Sequence, residues 1–212
     1  MAKNSFSFDS PLVQSFETIK NLLILNIWTV ICCIPVITAG ASLAAMHTVA
    51  LKMLRDEEGY VTKDFFKAFR SNIKIGCKAS IFLILVLGIV YADFYAISLL
   101  DVWFADAARI LLIVFGILLA LTLTFLFPIM AKFDANLRNT IKNAFCFALS
   151  HIGKTVLMLI LNFIPWVLCY YVNVLIPLLF FWGLSVPAMM GAKLYDKDFK
   201  RLEDAYYEKQ DI

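Results

Sequence analysis

Asp93 and Arg109 are the residues of this chain best placed to do chemistry, because each interrupts or borders a long apolar run. Ionisable groups inside a membrane are costly to bury and are functional candidates by default. Asp93 lies toward one end of the run 79–100, and Arg109 opens the run 110–131 from the same side. A pair across that connection is expected, as a structural latch before a substrate or proton site. His47 and His151 sit at the ends of apolar or basic segments and read as interfacial hydrogen-bonding groups. Asn26, Asn162 and Asn173 are amides that can bond between helices, each contributing about 1 kcal/mol.

The remaining chemistry is conspicuous by what is missing. The five cysteines (Cys32, Cys33, Cys77, Cys146, Cys169) form no CxxC pair and have no histidine at ligand spacing, so they read as small hydrophobes. There is no HExxH, no Walker loop and no Gly-rich dinucleotide turn. Asp93 has no second intramembrane carboxylate for aspartyl chemistry, and no span carries the row of charges that a proton relay or voltage sensor needs. The expectation is a protein that is not an enzyme and that uses no cofactor and no metal.

The elements that must position these residues are apolar helices. Residues 21–51, 110–131 and 155–192 contain no Asp, Glu, Lys or Arg. A helix without a polar stripe cannot face water, and about 20 apolar residues cross a bilayer core. With 62% hydrophobic and 17% charged residues over 212 positions, the chain holds no long hydrophilic block. The expected fold class is all-α, one integral membrane helical bundle with about five transmembrane helices plus cytoplasmic amphipathic helices. An N-terminal segment resembling a signal peptide (Lys20, the run from Leu22, Ala39-Gly40-Ala41) is discounted, because the chain stays apolar past that site.

Sidedness follows from the basic residues. Seven Lys/Arg lie in 52–78, four in 132–154 and five in 193–209, out of 19. Such periodic clustering does not suit nucleic acid, and Lys and Arg are retained on the cytoplasmic side of membranes. The spans are then expected at 22–50 with a kink or break at Pro35, 79–100, 108–131, 153–173 and 175–192, the last two turning at Asn173 and Pro177. The first block would be about 46 Å long as one helix. It reads either as one kinked crossing or as a tight hairpin. A weak internal echo of Pro35, Pro128 and Pro187, each followed by a basic stretch, favours one crossing with the N-terminus outside. Two crossings would make six spans and move the N-terminus to the cytoplasm. Gly40/Ala44, Gly88/Ala92, Gly116/Ala120 and Ala188/Ala192 give small-xxx-small spacings suited to close helix packing.

The best-formed pattern is a basic amphipathic connector at 61–75. Lys63, Lys67, Arg70 and Lys74 line one face, and Phe65, Phe66, Phe69 and Ile73 line the other. Such a helix lies in the interface with its rings in the acyl boundary, or offers its basic face to a cytoplasmic partner. The tail 193–212 is a charged helix with one aromatic stripe, Tyr195, Phe199, Leu202 and Tyr206. That stripe either packs under the bundle or receives a partner.

The stretch Cys33-Ile34-Pro35-Val36-Ile37-Thr38-Ala39-Gly40, then Glu58-Gly59-Tyr60, then Asp64-Phe65-Phe66-Lys67-Ala68-Phe69-Arg70-Ser71-Asn72-Ile73-Lys74 resembles the YesL-like family. These are small bacterial membrane proteins grouped as a domain of unknown function, and the likeness runs along nearly the whole chain in length and hydrophobic layout. The resemblance implies a bacterial inner-membrane protein associated with carbohydrate uptake, since relatives are often encoded beside sugar ABC transporters. It supplies no catalytic residue. The chain lacks the Glu-Ala-Ala-x-x-x-Gly coupling loop of ABC permeases, so the expected role is an accessory or regulatory partner of such a permease. The alternative is an autonomous small-solute transporter or channel, with Asp93 and Arg109 near its pathway. Which sugar, which partner and which oligomeric state are not readable from the sequence.

Overall fold

A proline in a long apolar run must interrupt the helix that carries it, and the first turn of the fold is built on this constraint. The structure, a computed structural model, describes residues 11–57, 59–99, 105–133, 135–171 and 183–208. Helix α1 (Pro11–Cys33) stops two residues before Pro35, and a single 3-10 turn (Val36–Thr38) leads into α2 (Ala39–Leu54). The Thr38 hydroxyl donates to the carbonyls of Cys32 and Pro35, both at 2.8 Å, and so ties the turn together. The chain doubles back here: the Ser42 hydroxyl donates to the Thr29 carbonyl at 2.9 Å. The first block is therefore two helices rather than the single kinked span favoured by the internal echo, because Pro35 fully breaks the hydrogen-bond ladder.

α2 is the central helix. Its small residues Ala41, Ser42, Ala44, Ala45 and Ala50 are fully or nearly fully buried, which lets four neighbours approach its backbone. It ends where Asp56 takes φ 54°, the left-handed conformation that terminates helices and that short polar side chains tolerate. α3 (Val61–Ser98) then returns against it. The Gly40 amide donates to Ser80 Oγ at 2.8 Å near one end of this pair, and Lys52 bridges to Asp64 at 2.8 Å near the other. α4 (Ala105–Lys132), the short amphipathic α5 (Leu137–Ser150), α6 (Ile152–Tyr171) and α7 (Ser185–Glu208) complete the described fold.

α3 changes the expected architecture. Its 38 residues form one unbroken helix about 57 Å long, so the basic segment 61–75 is not a separate connector. The first half packs on α2, whereas Ile81, Leu85, Ile89, Tyr91 and Tyr95 of the second half are exposed. α4 repeats this in reverse: Ile110 to Leu118 are largely exposed, and Leu121, Phe125, Leu126, Ile129 and Met130 are buried. α6 also exposes Ile160, Phe163, Trp166, Tyr170 and Tyr171. Apolar helices exposed all round are stable only in lipid. The molecule thus has a packed, charged end and an open, apolar end.

The protein is a multi-pass, all-α membrane bundle. Five described helices are long and apolar enough to cross: Ser15–Cys33, Val36–Leu54, Val61–Ser98, Ala105–Lys132 and Ile152–Tyr171. Two of these five divide residues 22–50 between them, where the echo of prolines favoured one crossing. The expected turn at Asn173 and Pro177, and residues 175–182 of the expected span 175–192, lie outside the described residues.

Candidate functional site

At the charged end, α7 is the hub. Tyr195 and Phe199 are one turn apart and fully buried, in edge contact with Phe125, Phe133 and Phe147. The Tyr195 hydroxyl lies 3.2 Å from His47 Nδ1 on α2. Burial pushes the Tyr195 hydroxyl well above its usual range, so it stays a neutral hydrogen-bonding group. Of the two readings of the aromatic stripe, packing under the bundle holds at these two positions.

The acids of α7 meet bases from three other helix ends. Arg55 donates to Asp196 at 2.7 Å and to Glu203 at 3.3 Å, and Lys132 bridges the other Glu203 oxygen. Lys154 pairs with Asp198, and His151 Nε2 lies 3.9 Å from the same carboxylate. Burial disfavours the Arg55 cation, but its hydrogen bonds and charge attraction to Asp196 and Glu203 outweigh this and raise its pKa. At the other end of the helix, Asn26 Oδ1 accepts the amide protons of Leu184 and Ser185, both at 3.0 Å, and so caps α7 from within α1. A cavity of about 850 Å³ opens beside this hub between α4, α5 and α7, with His151, Asp198, Arg201 and Glu203 on its wall.

The basic face expected on α3 is present. Lys63, Lys67, Arg70 and Lys74 are all exposed along one side. The aromatic face is not where an interfacial anchor would put it. Phe65 is fully buried in the protein beside α2. Phe66 meets the Trp28 ring edge-on, with centroids 4.8 Å apart, and Phe69 stacks on Phe65. The inward stripe is Phe65, Ala68, Asn72, Gly76 and Ala79, all buried and spaced by three and four. These rings hold α3 onto the bundle instead of entering the acyl boundary, because α1 and α2 cover them first.

The expected pair of Asp93 and Arg109 does not form. Arg109 turns to Asp106, three residues back on its own helix, at 2.9 Å. Asp93 is exposed between Tyr91 and Tyr95 and has no ion pair among the described residues. Exposed tyrosines mark the headgroup level, where a carboxylate is hydrated and needs no partner. Asn162 bonds within its own helix, to the Met158 carbonyl at 2.8 Å, and Asn173 lies outside the described residues.

The close packing depends on Gly40, which was legible, and on Gly76, which was not. A Cβ on Gly40 would come 2.5 Å from the Gly76 carbonyl oxygen, and one on Gly76 would collide with the Ala41 backbone. Gly88 and Gly116 face open space. The small-xxx-small spacing of Gly76 and Ser80 is the sequence signal for this contact.

This geometry locates the segment that a comparison with known families detects. Residues 22–94 match the family model described as Protein of unknown function, DUF624. No curated protein and no solved structure matches the chain. The DUF624 match covers about a third of the sequence and runs from α1 to near the end of α3, the unit pinned by Thr38, Gly40, Asp64 and Phe65. Asp64 also accepts the Gly59 amide at 3.0 Å, which fixes the loop before α3. Within residues 22–94, Thr38, Gly40, Asp64 and Phe65 help to lock three helices together. The four cations of α3 stand on the outside of that unit.

Proposed function

We propose that this is a non-enzymatic protein of the bacterial cell membrane, a YesL-like accessory or regulatory partner of a carbohydrate ABC-type uptake system. In this reading the charged end is cytoplasmic, and the exposed cations of α3 dock an acidic surface of that system. The observation that carries it is the arrangement of α3 itself. Lys63, Lys67, Arg70 and Lys74 project from a helix whose opposite face is buried in protein, so the cations are held in a fixed row. A plain membrane anchor would instead turn its aromatic face to lipid. Charge in a fixed row steers association and selects partners.

The doubling back at Pro35 also bears on topology. If α1 and α2 both cross, the start of α1 lies on the same side as the basic segment after α2, which is the cytoplasmic side in this reading.

The test is to purify the tagged protein in mild detergent from its native cells. A permease subunit of an ABC transporter is expected to remain bound, and Lys67→Glu/Arg70→Glu is expected to reduce its recovery about tenfold or more. Both positions are exposed, so the variant should melt like the wild type. A partner-free oligomer from native membranes would contradict the proposal.

A further inference from the structure

We propose that a cavity at the charged end, between the basic stretch of α3 and the start of α5, binds a phosphate group. The cavity has a volume of about 490 Å³. Five polar side chains line it: Ser71, Asn72 and Lys74 from α3, and Asn136 and Asn139 from the α4–α5 connection and the first turn of α5. Among the described residues no carboxylate lines it, while Asp134, next to two lining residues in sequence, lies outside them.

Two further features define the ligand. The lining is rich in unused donors. The Lys74 ammonium has no ion pair, and the side chains of Ser71, Asn136 and Asn139 have no hydrogen-bond partner among the described residues. Most charged groups of the α7 hub are, by contrast, paired within the protein. An ammonium with amide and hydroxyl donors around one hollow suits an anion that accepts several hydrogen bonds at once, which is the character of a phosphate. The second feature is surroundings. Arg70 is exposed on the same helix one turn before Lys74, and Arg138 is exposed next to Asn139 in sequence, so two further cations stand on the elements that carry the lining. The cavity wall is set by buried Asn72, which donates to the Ala68 carbonyl at 3.0 Å, and by buried Met130 of α4, so the hollow belongs to the packed bundle.

A phosphate could arrive on a lipid headgroup or in solution, and the experiment separates the two. The purified full chain would be titrated by native mass spectrometry with phosphatidic acid, with diacylglycerol as the lipid lacking phosphate. In parallel, inorganic phosphate would be titrated in detergent and followed by calorimetry. One saturable site for a phosphate-bearing probe is expected, weakened about tenfold or more by Lys74→Gln and by Asn139→Asp. Lys63→Glu, on the same basic face but away from the cavity, is expected to leave it unchanged. Lys74 belongs to both the cavity and the docking row, so Asn139→Asp, which touches only the cavity, and Lys63→Glu, which touches only the row, tell a failed phosphate site from a failed docking surface. Preference for phosphatidic acid over diacylglycerol assigns a headgroup, and saturation by inorganic phosphate assigns a soluble ligand. Absence of binding by both probes would overturn the proposal. So would affinities that Lys74→Gln and Asn139→Asp leave unchanged, in variants that melt like the wild type.

Discussion

Gly76→Val is expected to cost about 3 kcal/mol or more and to lower the yield of folded protein sharply. Overpacking a well-filled site costs typically about 1–3 kcal/mol, and the upper end applies when no flexible neighbour can move. The nearest atoms to a new Cβ are the backbone N and Cα of Ala41, which shift only if α2 and α3 separate. Separation would break the Gly40–Ser80 and Lys52–Asp64 contacts near the two ends of the pair. Gly88→Val, in open space on the same helix, is the matched control and should change stability by less than about 0.5 kcal/mol. Thermal unfolding in one detergent checks both. Equal melting of the two variants would mean that the α2–α3 crossing is looser than the Gly76–Ala41 approach requires.

Phe199→Ala is the second large effect, expected at about 3–5 kcal/mol. Phe199 is fully buried against Tyr195, Phe133 and Phe147. It belongs to the charged segment of α7, where water rather than lipid is the competing solvent, so the full hydrophobic term applies. Leu202→Ala on the same helix, 43% exposed, should cost about 0.5 kcal/mol or less. A tail that waited for a partner would show the same small loss at both positions. A large difference between them identifies α7 as part of the bundle.

These two residues also show where sequence reading succeeds and where it stops. The apolar runs, an interruption at Pro35 and the close packing at Gly40 were legible because each follows from local chemistry, whereas the choice between a kink and a full break at Pro35 was not. The burial of Phe65 was not. An amphipathic pattern specifies an apolar face but not whether lipid or protein covers it, and here α1 and α2 do. The same ambiguity hid the continuity of α3, since the charges of its first half imitated a separate connector. The α7 hub was illegible for another reason. Arg55 and Asp196 are 141 positions apart, and no spacing rule connects them. Asp93 and Arg109 failed in the opposite way. Their nearness was sensible, but Asp106 offered Arg109 a partner three residues away.

Lys63, Lys67, Arg70 and Lys74 are exposed in one row along α3, while Phe65, expected in the acyl boundary, is buried against the bundle. The central claim is that this row binds protein. The most direct test replaces Lys67 with a photo-crosslinking amino acid in living cells and asks what it captures. A discrete protein adduct at position 67, absent when the same probe replaces exposed Ile89 on the apolar half of α3, is the predicted result. Lipid adducts alone at position 67 would contradict the claim and return α3 to the role of a membrane-facing helix.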